Sequence, residues 1–380
     1  MRTAVQRRGA LALCVVLLFC LLAGCTGHSG EKNWSELTPQ STTELKYAKQ
    51  FKIEDCGDGL SRITIAQDRQ YLLVQEGAQI PNGVPEEVTV LQQPIQNIYL
   101  TATASMDLFR ALDGLDVIRL SGTKESGWYL PEAQQAMEAG DILYAGKYNA
   151  PDYELILAQQ CGLAVESTMI YHNPEVKEQL ESLGIPVLVD YSSYESDPLG
   201  RMEWIKLYGA LLGKEEEAAR IFDEEVAAVQ PVLNQTNTGK TVAFFYITNT
   251  GTVNVRKSGD YIAQLIRMAG GVYVPDNQNG DEENALSTMN IDMESFYAAA
   301  HDADVLIYNS TIDGELASLD ELLKKSELLA DFKAVQNGNV WCTGKNMFQS
   351  SMSLGRMILE INAVLTQQAP DGLTYLYRLS

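Results

Sequence analysis

The stretch "APDYELILAQQCGLAVES" (150–167) has a counterpart in "NIDMESFYAAAHDADVLIY" (290–308). Each reads as a polar turn, an Asp-x-Glu triplet, a short amphipathic segment and then an apolar run. Asp152-Tyr153-Glu154 aligns with Asp292-Met293-Glu294. A turn followed by an acidic helix start and then a buried strand is half of a strand–helix–strand unit. Finding it once in each half of the chain predicts two α/β lobes, each with a glutamate at the same place.

The same alternation continues on both sides. "IQNIYL" reads as a buried strand, "ASMDLFRALDGL" as an amphipathic helix and "DVIRLSG" as a strand, and the pattern runs on to "GIPVLVDY". Strands alternating with helices argue for parallel sheets covered by helices. Pro198 then stands where a helix can begin, and "LGRMEWIKLYGALLG" has helical spacing. "KEEEAARIFDEEVAAV" continues as helix, with Ala218, Ile221, Phe222, Val226 and Val229 on one face. Gly213 separates the two helices, and Pro231 ends or kinks the second. The second spans on the order of 25–30 Å at 1.5 Å per residue, a strut between the halves. "KTVAFFYITNT" starts a fresh strand, and the alternation resumes to the C-terminus.

The ends bound the rest. Residues 1–24 read as a signal peptide: Arg2, Arg7 and Arg8, then "LALCVVLLFCLLAG". "LAGC" (Leu22 to Cys25) resembles the lipobox of bacterial lipoproteins, which implies cleavage before Cys25 and lipidation of its thiol. Removing the peptide takes the formal charge from −22 to about −25. Such an acidic chain does not suit nucleic acid, which needs a basic surface. Cys56, Cys161 and Cys342 remain after Cys25, so no disulfide framework is implied. The expected organisation is a lipid-anchored flexible tether (25–45), an N-terminal β extension (46–94) of two or three antiparallel strands, an N-terminal lobe (95–197), linking helices (198–236) and a C-terminal lobe (237–380).

The segments "IQNIYLTATASMDLFRALDGLD", "APDYELILAQQCGLAVES", "KLYGALLGKEEEAARIFDE", "GDYIAQLIRMAGGVYV" and "FKAVQNGNVWCTGKNMF", in this order and spacing, resemble the substrate-binding lipoproteins of ABC importers for iron-siderophore complexes, heme and corrinoids. The resemblance covers roughly residues 95–366. It implies two Rossmann-like lobes joined by a long rigid helix, with the ligand in the cleft between them. It implies a monomeric receptor, anchored through Cys25 on the outer face of a bacterial cell membrane, that delivers a metal chelate to a permease dimer with its ATPase. In that family each lobe presents a glutamate to permease arginines, and the matching positions here are Glu154 and Glu294. A surface lipoprotein used for sensing or adhesion is the alternative from another class.

Ligand contacts are expected in the loops after strand ends. In the first lobe these are Thr101–Met106, Thr123–Tyr129, Gly146–Ala150 and Met169–Asn173. In the second they are Ile247–Tyr261, Ser287–Met289, Tyr308–Thr311 and Asn346–Gln349. The candidate ligand-binding residues are Met106, Trp128, Tyr148, His172, Arg256, Tyr261 and Met289. Aromatic rings can stack on a bulky chelate and cations can meet its anionic groups. Tyr148 lies six residues before Glu154, where corrinoid-binding members can carry an aromatic residue. Met106, Tyr148, His172 and Met289 are the axial-ligand candidates for a heme. Only three histidines occur, one of them His28 in the tether, and no His/Cys cluster marks a bare-metal site. No G-x-S-x-G, P-loop or H-E-x-x-H appears, and Glu282-Glu283 reads as part of a solvated loop, so no catalytic residue and no cofactor are expected.

Overall fold

The structure, a computed structural model, describes residues 32–276 and 288–380. The signal peptide, Cys25, His28, Glu282-Glu283 and Ser287 lie outside the described residues. The described residues separate into two compact units, one of residues 32–38 and 79–85 and one of 39–78, 86–276 and 288–380. In the first, Asn82 bridges two neighbours: its carbonyl accepts from Trp34 N at 2.8 Å and its N–H donates to Lys32 O at 2.8 Å.

Among the described residues the second unit holds three larger sheets. The first is β1 (Ser41–Thr42), β2 (Phe51–Asp55), β3 (Leu60–Ile65), β4 (Arg69–Val74) and β5 (Thr89–Gln92), in that order. β1 to β4 pair antiparallel and β5 joins β4 in parallel. This differs from the two or three strands expected, because β1 is too short to show alternation and β5 returns after a long loop. It also corrects the tether: β1 falls within residues 25–45 and is paired to β2. What anchors this region is side-chain chemistry. The Glu203 carboxylate, fully buried, accepts from Lys46 N, Tyr47 N and Ala48 N at 2.7–3.0 Å. Glu195 does the same for Lys49 N and Gln50 N, at 2.8–3.0 Å.

The N-terminal lobe carries β6 (Ile98–Leu100), β7 (Ile118–Ser121), β8 (Leu143–Tyr144), β11 (Ala164–Ser167) and β12 (Val187–Asp190), ordered β12-β11-β6-β7-β8 and parallel throughout. A hairpin of β9 (Gly146–Lys147) and β10 (Ala150–Pro151) stands apart. Helices α1 (Met106–Ala111), α2 (Pro131–Glu138), α3 (Tyr153–Ala158) and α4 (Pro174–Ser182) connect the strands.

The link to the second lobe is α5 (Pro198–Glu203), α6 (Ile205–Leu212) and α7 (Glu215–Leu233). Gly213 closes α6 in the left-handed region, at φ 67°, which favours glycine. α7 runs 19 residues, about 28 Å long, and buries Ala218, Phe222, Val226, Val229 and Val232. Pro231 falls inside its last turn and does not end it. Gly209 of α6 meets α7 closely: a Cβ there would stand 2.5 Å from Ala218 Cβ. Gly209→Ala is therefore expected to destabilise the chain by about 1–3 kcal/mol, read as a lower urea midpoint.

The C-terminal lobe carries β13 (Thr241–Ile247), β14 (Val253–Arg256), β15 (Val272–Val274), β16 (Thr288–Ile291), β17 (Val305–Tyr308), β18 (Val340–Thr343) and β19 (Leu376–Arg378). The order is β16-β14-β13-β17-β18-β19, with β15 sharing an edge of β13. β13, β17 and β18 form a parallel centre, and β14, β16 and β19 add antiparallel edges. α8 (Tyr261–Met268), α9 (Met293–Ala300), α10 (Ser310–Asp313), α11 (Leu319–Lys325), α12 (Lys333–Gln336) and α13 (Leu354–Leu365) complete it. β12, β17 and β18 are buried at every position, as parallel strands covered on both faces must be.

Candidate functional site: the cleft between the lobes

The parallel strands of both lobes end in loops that meet. Gln349, after β18, accepts from Tyr129 N at 2.7 Å and donates to Gly127 O at 2.8 Å, both in the loop after β7. Ser351 Oγ donates to Ala104 O at 2.7 Å, and Met352 N to Asp107 Oδ2 at 2.8 Å. Lys345 Nζ lies 5.8 Å from the Tyr129 ring centre. Arg201 makes a second bridge. Its Nε donates to Glu195 O at 2.9 Å, while its guanidinium carbon sits 3.5 Å above the centre of the Tyr261 ring. Burial lowers the Arg201 pKa and raises that of the Tyr261 hydroxyl, so the ring meets the cation as a neutral phenol.

Large apolar side chains are exposed at these same strand ends. Tyr129 follows β7, Met169 and Tyr171 follow β11, and Ile312 follows β17; all four are more than a third exposed. A cation stands beside one more ring: Arg256 lies 5.3 Å from the Phe348 ring centre. Rings and cations at the carboxyl ends of two facing sheets form the type of surface that holds a flat or bulky organic anion.

The sequence-predicted residues divide. Arg256 and Tyr261 come together, Arg256 3.6 Å from Asp260, whose Oδ1 caps α8 by accepting from Ile262 N at 2.8 Å. Tyr261 is itself nearly buried beneath Arg201. Tyr148 is half-buried on the two-residue turn of the β9–β10 hairpin, and His172 is exposed at the end of a short 3-10 turn. Met289, on the edge strand β16, packs against the C-terminal core. Met106 and Trp128 are corrections: both are fully buried in the core, and the Trp128 indole N–H donates to Ser121 Oγ at 3.2 Å. Met106 opens α1 and Trp128 stands in the loop after β7, and both side chains turn inward to fill the core beneath the first lobe's strand ends. Sequence reasoning missed Arg69, Tyr171, Tyr191, Arg201 and Gln349 as individual site residues. Tyr171 and Gln349 stood in quoted loops; Arg69 and Arg201 carried no local signal.

Glu154 and Glu294 occupy matching geometry. Each is exposed at the second position of its helix, after an aspartate whose Oδ1 accepts from the N–H three residues on: Asp152 from Leu155 at 3.0 Å and Asp292 from Ser295 at 2.7 Å. α3 leads to β11 in one sheet and α9 to β17 in the other.

One buried acid stands apart. Glu166, at the end of β11, is fully buried, accepts a hydrogen bond from Thr101 Oγ1, and has no partner on Oε1. Burial pushes its carboxyl up to about 7. A raised acid pKa contributes stability below the unfolded value near 4.5, and that contribution is lost as pH rises through 7. Glu166→Gln keeps an acceptor for Thr101 and cannot ionise. It is expected to raise stability by about 3 kcal/mol at pH 8 and by little at pH 4.5. Urea unfolding at the two pH values checks this.

Among the described residues no group of three or more His, Cys, Asp or Glu could hold a metal ion, and no helix is long and apolar enough to cross a membrane. The family described as "Periplasmic binding protein" matches residues 100–347, more than half of the chain. The chain belongs to this family. An uncharacterized lipoprotein of Methanocaldococcus jannaschii is 26% identical over 96% of this chain and 94% of its own. The periplasmic heme-binding protein HutB of Vibrio cholerae shares the fold at a TM-score of 0.58, with 18% identity over 72% of this chain and 99% of its own. The periplasmic catecholate-siderophore binding protein VctP of Vibrio cholerae does so at 0.55, with 13% identity over 73% and 95%. This periplasmic binding protein therefore has the two-lobed α/β fold with a cleft between lobes, and its family consists of solute-binding proteins, not enzymes.

Proposed function

We propose that this protein is the extracytoplasmic receptor of an ABC importer and captures a metal chelate, either an iron complex such as a ferric siderophore or heme, or a corrinoid. The observation that carries the proposal is the set of exposed side chains at the strand ends, Tyr129, Met169 and Tyr171 on the first lobe and Ile312 on the second, with Lys345 near the Tyr129 ring and Arg256 near that of Phe348. Apolar faces suit the organic shell of a chelate and the cations suit its carboxylates or catecholates. The cargo is bound as an intact complex. Tyr148 and His172, on loops at the N-terminal lobe, are proposed as additional contacts, and Met289 as a second-lobe wall.

In this reading Cys25 is lipidated and tethers the chain outside the membrane, in keeping with the lipoprotein name of the relative from Methanocaldococcus jannaschii. Glu154 and Glu294 dock on permease arginines, one from each lobe. Isothermal titration of the full chain in mild detergent tests the capture step, using hemin, ferric siderophores, cobalamin, and manganese and zinc salts. One chelate binding at 1:1 with a sub-micromolar Kd is the expected result. Tight binding of a bare ion with no response to any chelate would overturn the proposal.

A further inference from the structure

The family match begins at residue 100 and leaves out the sheet β1–β5. That sheet nevertheless reaches the strand ends of the first lobe. Tyr71 of β4 is buried, and its hydroxyl accepts from Val189 N of β12 at 3.3 Å. Two residues earlier, Arg69 lies between two rings, 4.8 Å from the centre of Tyr171 and 5.0 Å from that of Tyr191. Tyr171 follows β11 and Tyr191 follows β12, so the cation from the extension is held at the carboxyl ends of both.

The arrangement stays accessible. The Arg69 side chain is 33% exposed and Tyr171 is 38% exposed. Arg69 pairs with Asp68 at 3.1 Å, but Asp68 is 79% exposed, and so open a pair is screened and weak. Burial raises the pKa of both tyrosine hydroxyls, which stay neutral and bond to each other, and the Tyr171 hydroxyl also accepts from the Arg69 guanidinium, whose remaining N–H groups face the groove. A groove of about 870 Å³ opens from this cluster toward β5 and α4. Glu86, Glu87 and Glu178 line it along with neutral residues of β5 and β12, and Lys177 there is paired with Glu181 at 2.6 Å. Carboxylates repel an anion from the groove's length and leave the Arg69 end as the place where one can settle.

The geometry points to a recognition subsite built by the N-terminal sheet: Arg69, with Tyr171 and Tyr191, binds an anionic oxygen carried by a flat conjugated ring system. The guanidinium fork meets the oxygen and the exposed face of Tyr171 stacks on the ring. The subsite rests on the chelate-receptor reading above and makes the extension part of the cargo site. The anionic oxygen can come from a peripheral carboxylate or from a catecholate ring, and the test separates these sources.

The full chain in mild detergent is titrated with hemin, hemin dimethyl ester, a ferric tris-catecholate and cyanocobalamin. For Arg69→Gln, binding of hemin or of the catecholate falls about tenfold, as loss of one charge-assisted hydrogen-bonded contact predicts. Binding of the dimethyl ester stays within twofold. A loss with hemin but not its ester assigns the carboxylate; a loss with the catecholate assigns the ring oxygens. Arg69→Lys, which keeps the charge, loses less than Arg69→Gln and controls for folding. Equal losses for hemin and its ester would show a structural clamp and overturn the subsite, as would unchanged binding. Tight binding of cyanocobalamin alone would overturn the subsite and leave the receptor reading standing. If wild-type protein binds none of the four, the subsite falls, and the receptor reading falls with it when the other ferric siderophores of the titration above also fail to bind.

Discussion

Replacing Glu203 by alanine is expected to lower the stability of the folded chain by about 3–5 kcal/mol. The carboxylate is fully buried and satisfies three successive backbone N–H groups, of Lys46, Tyr47 and Ala48, while also accepting from Lys206 Nζ at 2.8 Å. Alanine leaves those donors and one ammonium without their acceptor, and a buried donor without a partner costs its full desolvation. Lys206 also donates to Glu44 O at 2.8 Å, so the effect reaches the residues that precede the 46–48 turn. Urea unfolding should show a lower midpoint with an unchanged slope, and limited proteolysis should cut first near residue 46. Glu203→Gln keeps an acceptor oxygen and should lose clearly less. A loss below about 1 kcal/mol for the alanine variant would mean that the extension is held by apolar packing alone, through contacts such as Phe51 on Trp204 at 5.0 Å.

The second large effect concerns delivery. The double variant Glu154→Arg with Glu294→Arg is expected to abolish uptake of the bound chelate in cells while leaving the Kd for that chelate unchanged. Both glutamates are exposed and lie on helices outside the strand-end loops, so charge reversal there costs the cleft nothing. On the docking proposed above, two carboxylate–arginine contacts turned into like-charge pairs weaken docking by more than about 3 kcal/mol, or over 100-fold. Each single variant should retain part of the uptake. Uptake of labelled chelate in a deletion strain carrying each variant provides the measurement. Full uptake by the double variant would sink the docking assignment, and a parallel loss of chelate affinity would show that the glutamates act on the cleft instead.

The features legible in the sequence are those written in local chemistry. Asp152 and Asp292 announce helix starts because an aspartate side chain can accept from the N–H three residues on. The strands that follow are continuous apolar runs because both faces are covered. α7 was legible from Ala218, Phe222, Val226 and Val229 at helical spacing; of the two effects expected of Pro231, ending or kinking, the helix running on to Leu233 excludes the first. What the sequence hid depends on distance along the chain. Glu203 serves backbone groups 157 positions away, and nothing near it distinguishes it from a surface helix glutamate. Loop side chains follow no period, so Trp128 and its neighbour Tyr129 looked alike, yet one fills the core and the other faces outward. Arg69 lay outside the family resemblance, in strands whose alternation gave their fold but no partner.

Hydrogen–deuterium exchange of the full chain, with and without the tightest-binding chelate, tests the central claim most directly. The account predicts slowed exchange in the loops of both lobes at once, residues 101–106, 122–129 and 168–173 together with 344–349, and little change along α7. Protection of one lobe only, or protection confined to the linking helices, would contradict a cargo held between the lobes.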